Sequence, residues 1–297
     1  MNKKRETKKV PPSANRLIEA LRDTGYSFQT AIADLVDNSI AALATHVKIE
    51  AFIDDQGKQV LYICDNGHGM DAETLEDAMT YGSDQRKESK SLGKFGLGMK
   101  TASSSQARSF SVATRIGRES ESSSATWDID HVIKENDWEL IWNADSEEDL
   151  VDLIDQMPSN DLALSPVPAS TGSSFNCPHC EFGETDETDH EAVSTHISQE
   201  HSVIKGSGTL VLWEKVDRVI KEYADPSGEH ALAAWNARID ELREHLGMVF
   251  VRFIDNNFTD ARNLTITLNG KDLEPWDPFC RDYVKTRKIK ADPFDVH

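Results

Sequence analysis

Long apolar runs are missing from these 297 residues: no stretch approaches the roughly 20 apolar side chains that a membrane-spanning helix requires. No membrane partner is expected. The opening MNKKRETKKV is basic but has no apolar centre of the kind a secretory signal carries, so 1–13 read as a flexible, soluble arm. Cysteine is scarce as well. Only four are present, two of them in CPHC, which suits metal binding in a reducing compartment better than a disulfide framework, with the cytoplasm as the expected location. Basic charge is outnumbered, 32 Lys and Arg against 52 Asp and Glu, for a formal net charge of -20. Nonspecific coating of nucleic acid needs a clustered basic surface, so that class is unsupported, although a local basic face stays open. There is no G-x4-G-K-[ST] phosphate loop and no dinucleotide fingerprint in a strand–turn–helix unit. What is present is 38% hydrophobic residues and six Trp, enough for a globular core.

Periodicity divides the chain. Apolar residues recur at three and four through 11–47, predicting helix with a break near Gly25. VKIEAFIDD and QVLYICDNG alternate as strands around a turn at Gly57, predicting a hairpin. DAETLEDAMTYG opens on an Asp cap and has helical spacing, SDQRKESKSLGKFGLG reads as a polar, glycine-spaced loop, and a helix follows at MKTASSSQA. SFSVATRIG, SATWDID and GTLVLWEKV read as strands, 229–246 as a strong helix, and LTITLNGKDL as a strand with an Asn-Gly turn. An acidic segment and linker occupies 135–174, an insertion 175–201.

Three stretches carry chemistry. In AIADLVDNSIAA, Asp34 and Asn38 stand four apart and so share one helix face, where a carboxylate can accept a proton from water and an amide oxygen can ligate Mg²⁺. In CDNGHGM a strand ends on Asp65, which can accept a hydrogen bond from an exocyclic amine, and Gly67 and Gly69 are expected to leave room for a flat base. In LGKFGLGMKTAS, Gly93, Gly96 and Gly98 precede a helix, so backbone N–H groups, the helix N-terminus and the cations Lys94 and Lys100 can meet phosphate oxygens; Lys100 is the preferred contact. Singly, each pattern is common: an Asp–Asn pair is usually a solvated face, and Asp-Asn-Gly usually a turn.

As an ordered set with GSGTLVL, these stretches resemble the four boxes of the GHKL ATPases, the superfamily of gyrase B, MutL, the ninety-kilodalton heat-shock chaperones, histidine kinases and MORC proteins. The likeness covers roughly 14–116 and 206–222, and the order of GSDQRK and LGKFGLGMKTAS is most similar to MORC and chaperone members. The resemblance implies an α+β fold: a Bergerat-type sandwich of helices on a mixed, mainly antiparallel sheet, formed by 14–134 and 206–222, and then a transducer-like α/β subdomain over 223–297, expected to be incomplete. It implies Asp34 as general base, Asn38 as Mg²⁺ ligand and Asp65 as acceptor for the adenine amine. Gly67, Gly69 and Met70 would wall the adenine pocket. Gly93, Lys94, Phe95, Gly96, Leu97, Gly98, Met99 and Lys100 would form the lid over the phosphates, and Thr209 would support adenine through Asp65 and a water. Two positions depart from the pattern. The family's base is usually Glu, and Asp34 is one methylene shorter, which predicts slow hydrolysis; Ala41 stands where many relatives have an acid. Lys215, Lys271 and Lys285 are the candidates for the transducer lysine.

Within the insertion, Cys177, Cys180, His196 and His201 give C-x2-C-x15-H-x4-H, ligand types and spacing that predict a closed tetrahedral Zn²⁺ site, as in two-Cys/two-His fingers. Phe175, Phe182, Val193 and Ile197 are its candidate core, and His179 and His190 are spare ligands. The surrounding acids argue for a stabilising or protein-contact role.

Two functions compete. One is a Mg²⁺-dependent ATPase whose lid closure drives homodimer clamping on a protein client or operon partner; the other is an ATP-gated sensor with little or no hydrolysis. A histidine kinase is disfavoured, since no phosphoacceptor helix pair precedes the ATP-binding stretch.

Overall fold

A computed structural model describes residues 8, 12–23, 25–82, 98–117, 120–142, 147–158, 175–176, 183–184, 206–255 and 263–278, with the backbone alone for 147–149 and the two short insertion strands. Helical spacing in the first 50 residues becomes two helices, α1 (Ala14–Arg22) and α2 (Phe28–Ala41). The break falls at Gly25, whose φ of 84° lies in the left-handed region, and the Ser27 side chain caps α2 by accepting from Thr30 N. The predicted hairpin is β1 (His46–Ile53) and β2 (Gln59–Asp65), antiparallel with Val47 opposite Asp65. Asp71 caps α3 (Ala72–Met79) through Thr74 N, as its place before that periodic run predicts.

Further along the chain come α4 (Gly98–Gln106), β3 (Ala107–Arg115), β4 (Ser123–Asp128), α5 (Ile129–Glu135), β5 (Ile141–Trp142) and α6 (Glu147–Asp155). β6 (Phe175–Asn176) and β7 (Gly183–Glu184) form a small antiparallel pair. The chain continues through β8 (Gly208–Val216), α7 (Glu229–Val249), α8 (Val251–Ile254), β9 (Thr265–Leu268) and β10 (Lys271–Asp272).

The main sheet has eight strands in the order β10-β9-β1-β2-β8-β3-β4-β5. β1 and β9 run parallel and the other pairs antiparallel, so the fold is the expected α+β class with a mixed, mainly antiparallel sheet. Strand alternation assigns two faces. Leu61, Ile63, Phe110, Val112, Val211 and Trp213 point into the large core shared with α1, α2 and α7. Cys64, Ala113 and Leu210 point the other way, where Leu150 and Ile154 of α6 cover them.

Parts of 229–272 join the same sheet and core. β9 pairs with β1, Trp235 of α7 packs on Phe28 at a ring separation of 6.1 Å, and its indole N–H donates to Ala51 O at 3.3 Å. The physical reason is edge closure: β1 would otherwise present an unpaired hydrogen-bonding edge, and β9 takes it.

Candidate nucleotide site

The apolar face of α2 fixes what its polar face can reach. Ala31, Ile32, Leu35, Val36 and Ser39 are buried, which turns Asp34 half-buried and Asn38 exposed along the other side of the helix. Asp34 and Asn38 therefore do share a face, with half-buried Asp37 beside them. Burial, and secondarily the charge of Asp34, push the Asp37 carboxyl above its ordinary range. On the other side of Asp34, the Tyr26 hydroxyl donates to Asp34 Oδ2 at 2.7 Å.

Asp65 ends β2 on the helix-facing side and is 6% exposed. Ser39 Oγ donates to its Oδ2 at 2.8 Å and Gly67 N to its Oδ1 at 2.8 Å. Thr209 of β8, directly opposite Asp65 in the sheet, supplies a backbone hydrogen bond to the same carboxylate. Desolvation raises the Asp65 pKa, and these donors pull against that rise. A carboxylate offers about four acceptor positions, so three donors leave room for one more, the number an exocyclic amine requires.

The two glycines after Asp65, expected to leave room for a base, are closely approached by protein atoms. A Cβ on Gly67 would stand 2.7 Å from the Cβ of Ala42, and one on Gly69, where φ is 70°, would stand 2.0 Å from Arg115 O. Both are needed because protein backbone crosses close by. The turn is held further by Met70 N, which donates to Thr114 Oγ1 at 2.9 Å, and by Thr114 itself, which reaches Gly208 O at 2.9 Å and Thr209 Oγ1 at 3.0 Å. Asn66 accepts from Thr45 N and His46 N, both at 2.9 Å, tying the end of β2 to the loop after α2.

Of the residues expected to form a lid, Gly98, Met99 and Lys100 are described, and Gly93, Lys94, Phe95, Gly96 and Leu97 lie outside the described residues. Gly98 begins α4 beside Asp34: a Cβ there would be 3.7 Å from Asp34 Oδ2. Lys100, expected at the phosphates, is 2% exposed, donates to Ala78 O near the end of α3 at 2.5 Å, and lies 5.8 Å from the Tyr81 ring centroid. Lys215, a candidate transducer lysine, pairs with Asp128 at 2.9 Å and Asp130 at 3.2 Å. Lys271 lies on β10 at the sheet edge, and Lys285 is outside the described residues.

The zinc candidates Cys177, Cys180, His196 and His201 also lie outside the described residues, as do Phe182, Val193, Ile197, His179 and His190. Among the described residues no group of His, Cys, Asp and Glu is arranged to hold a metal. No described helix is long and apolar enough to cross a membrane.

Sequence reasoning missed Tyr26, Ser39, Asn66 and Thr114. Ser39 and Asn66 sit inside quoted motifs, so their adjacency to Asp34, Asn38 and Asp65 was a usable signal. Tyr26 and Thr114 carried none. A cavity of about 520 Å³ opens near Tyr26, where Arg22, Arg218 and Arg238 contribute to the wall. Its charges are balanced, since these arginines pair with Asp217, Asp23 and Glu241 respectively.

Residues 26–160 match the family described as histidine kinase-, DNA gyrase B-, and HSP90-like ATPase. Protein MICRORCHIDIA 7 of Arabidopsis thaliana is 38% identical over 77 residues, 24% of this chain and 11% of that protein. Protein MICRORCHIDIA 1 of the same plant is 34% identical over 99 residues, 31% of this chain and 16% of that protein. The likeness thus spans less than a fifth of either relative. With an Asp65 cradle at the end of a central strand, Asp34 and Asn38 on the adjoining helix face and a mixed sheet beneath, residues 26–160 are similar to the GHKL ATPases, and the stretches shared with the two plant proteins are MORC-like.

Proposed function

We propose that this protein binds ATP with Mg²⁺ and hydrolyses it slowly, using the cycle to close a lid and clamp two copies of the chain together. The observation that carries the reading is the buried Asp65 carboxylate, held by Ser39, Gly67 and Thr209 with one acceptor position to spare. An acid in that setting is costly unless a ligand donor completes it. Adenine would lie against Asp65 and Met70. Asn38, exposed one turn beyond Asp34, would hold Mg²⁺, which when bound supplies charge neutralisation at the phosphate oxygens. Asp34 would accept the proton of the attacking water, and the N-terminus of α4 at Gly98 would face developing negative charge. Residues 93–100 would form the lid, with Lys94 and Lys100 as its cations; Lys100 would have to leave Ala78 to reach a phosphate.

The remaining assignments belong to the same proposal. C-x2-C-x15-H-x4-H would bind one structural Zn²⁺ through Cys177, Cys180, His196 and His201, with the β6–β7 pair flanking the two cysteines. The clamp's partner would be a client protein, in keeping with the net charge of -20. Location in the cytoplasm follows from the cysteine pattern.

Steady-state phosphate release from the full chain and from Asp34→Ala tests turnover. Hydrolysis predicts release that the substitution lowers by about 10²-fold or more, the usual range for loss of a positioned base. A second reading, an ATP-gated sensor, is favoured by the short Asp34 side chain, one of whose oxygens Tyr26 already occupies. It predicts equal, background-level release from both proteins, with ATP still bound in calorimetry.

A further inference from the structure

We propose that Tyr26 is a positioning residue for Asp34, fixing the short carboxylate so that one oxygen is anchored and the other is presented to the attacking water. This deepens the hydrolysis reading above and rests on it. The family position is normally filled by Glu, and an Asp carboxylate stops one methylene earlier on a less extended side chain. A base that falls short can still work if its carboxylate plane is held in one orientation, because proton transfer needs the acceptor within hydrogen-bond reach of the water.

The geometry around Tyr26 supplies that restraint. Its hydroxyl donates to Asp34 Oδ2 at 2.7 Å, a charge-assisted bond to one oxygen only. The same hydroxyl hydrogen-bonds Thr101, whose Oγ1 also lies 3.3 Å from Gly98 O in the first turn of α4. At its backbone Tyr26 is held by Gln106 Nε2, which donates to Tyr26 O at 3.1 Å from the far end of α4. The ring packs against the main core beneath. Tyr26 is therefore braced by both ends of α4, and it passes that placement to the carboxylate on α2. Burial and the Asp34 charge both favour the protonated phenol, which keeps it a donor.

The test is a kinetic cycle on the full chain with Tyr26→Phe, Asp34→Glu and the double variant, reading kcat, KM for ATP and calorimetric affinity for a nonhydrolysable ATP analogue. Tyr26→Phe retains the ring, so the fold should survive, as circular dichroism and unchanged analogue affinity would confirm. We expect kcat to fall about tenfold to a hundredfold, with KM within about twofold of the original, the scale of one charge-assisted hydrogen bond. In the Asp34→Glu background, where the base has its full family reach, adding Tyr26→Phe should change kcat by less than about threefold, a rescue that a packing role would not give. Unchanged kcat in Tyr26→Phe overturns the proposal, as does a loss of the same size in both backgrounds or a loss that follows analogue affinity. Background-level release by the unaltered protein overturns the hydrolysis reading and this role with it, whereas release that survives Tyr26→Phe overturns this role alone.

Discussion

Asp65 is the residue on which the proposed nucleotide recognition turns, and its environment sets a signed expectation. Its pKa is raised by burial, so the folded chain holds the proton more tightly than the unfolded chain does. For a raised carboxylate the linkage runs opposite to the usual acid case: stability is lost as pH rises from about 3.9, the unfolded value, through the folded value, and the cost is fully present above it. Asp65→Asn removes that ionisation. Urea denaturation of the two proteins across this window should therefore show the variant gaining on the parent as pH rises. The same substitution replaces an acceptor with an amide, so affinity for ATP should fall by about 10- to 100-fold in calorimetry, the cost of one unmade hydrogen bond to a charged group. At Gly69 the expectation is structural. With φ at 70° and Arg115 O at 2.0 Å from any Cβ, Gly69→Ala should lower the unfolding free energy by at least about 2 kcal/mol, read by urea titration.

Among the elements, α4 is unusual in being buried from Lys100 to Gln106 although its sequence is GMKTASSSQ. Small side chains let it approach α2 closely. Its hydroxyls are satisfied locally or by neighbours: Ser105 Oγ donates to Ala102 O at 2.7 Å, and Ser103 Oγ accepts from the Trp213 indole at 2.9 Å. Arg22 Nε donates to Ser104 O at 2.9 Å, which joins α1 to the same helix. The helix α4 is thus tied to the sheet and to α1. The long helix α7 has the opposite character, an apolar stripe of Ala231, Trp235, Ile239, Leu242 and Leu246 on a charged rod. Trp235→Ala would empty the contact with Phe28 and leave Ala51 O without its indole donor, and chemical denaturation should register a loss of about 3–5 kcal/mol.

At the scale of the whole molecule, the proposed clamp requires two copies and a nucleotide together. Light scattering of the full chain should show a shift from monomer to dimer on adding a nonhydrolysable ATP analogue with Mg²⁺, and Asp65→Asn should suppress it at the same nucleotide concentration. Elemental analysis of the purified chain should return about one zinc per chain, falling to near zero in Cys177→Ser. The second measurement is independent of the first, since the zinc pattern lies in the insertion.

Local periodicity determined much of this protein. The α2 stripe, the β1–β2 hairpin, the Asp71 cap of α3 and the Asn-Gly turn after β9 were all legible, because each is set by residues within a few positions of one another. Motif order likewise brought Asp34, Asn38 and Asp65 into one hypothesis. Only the tertiary structure decided that β8 lies between β2 and β3 and that β9 closes the β1 edge. It also decided that Lys100 faces Ala78, that Thr114 braces Met70 across 44 positions, and that a tyrosine eight residues before Asp34 grips its carboxylate. Spacing along the chain encodes which face a side chain occupies, but the partner across that face is chosen by how helices and strands pack, and that choice depends on the whole core at once.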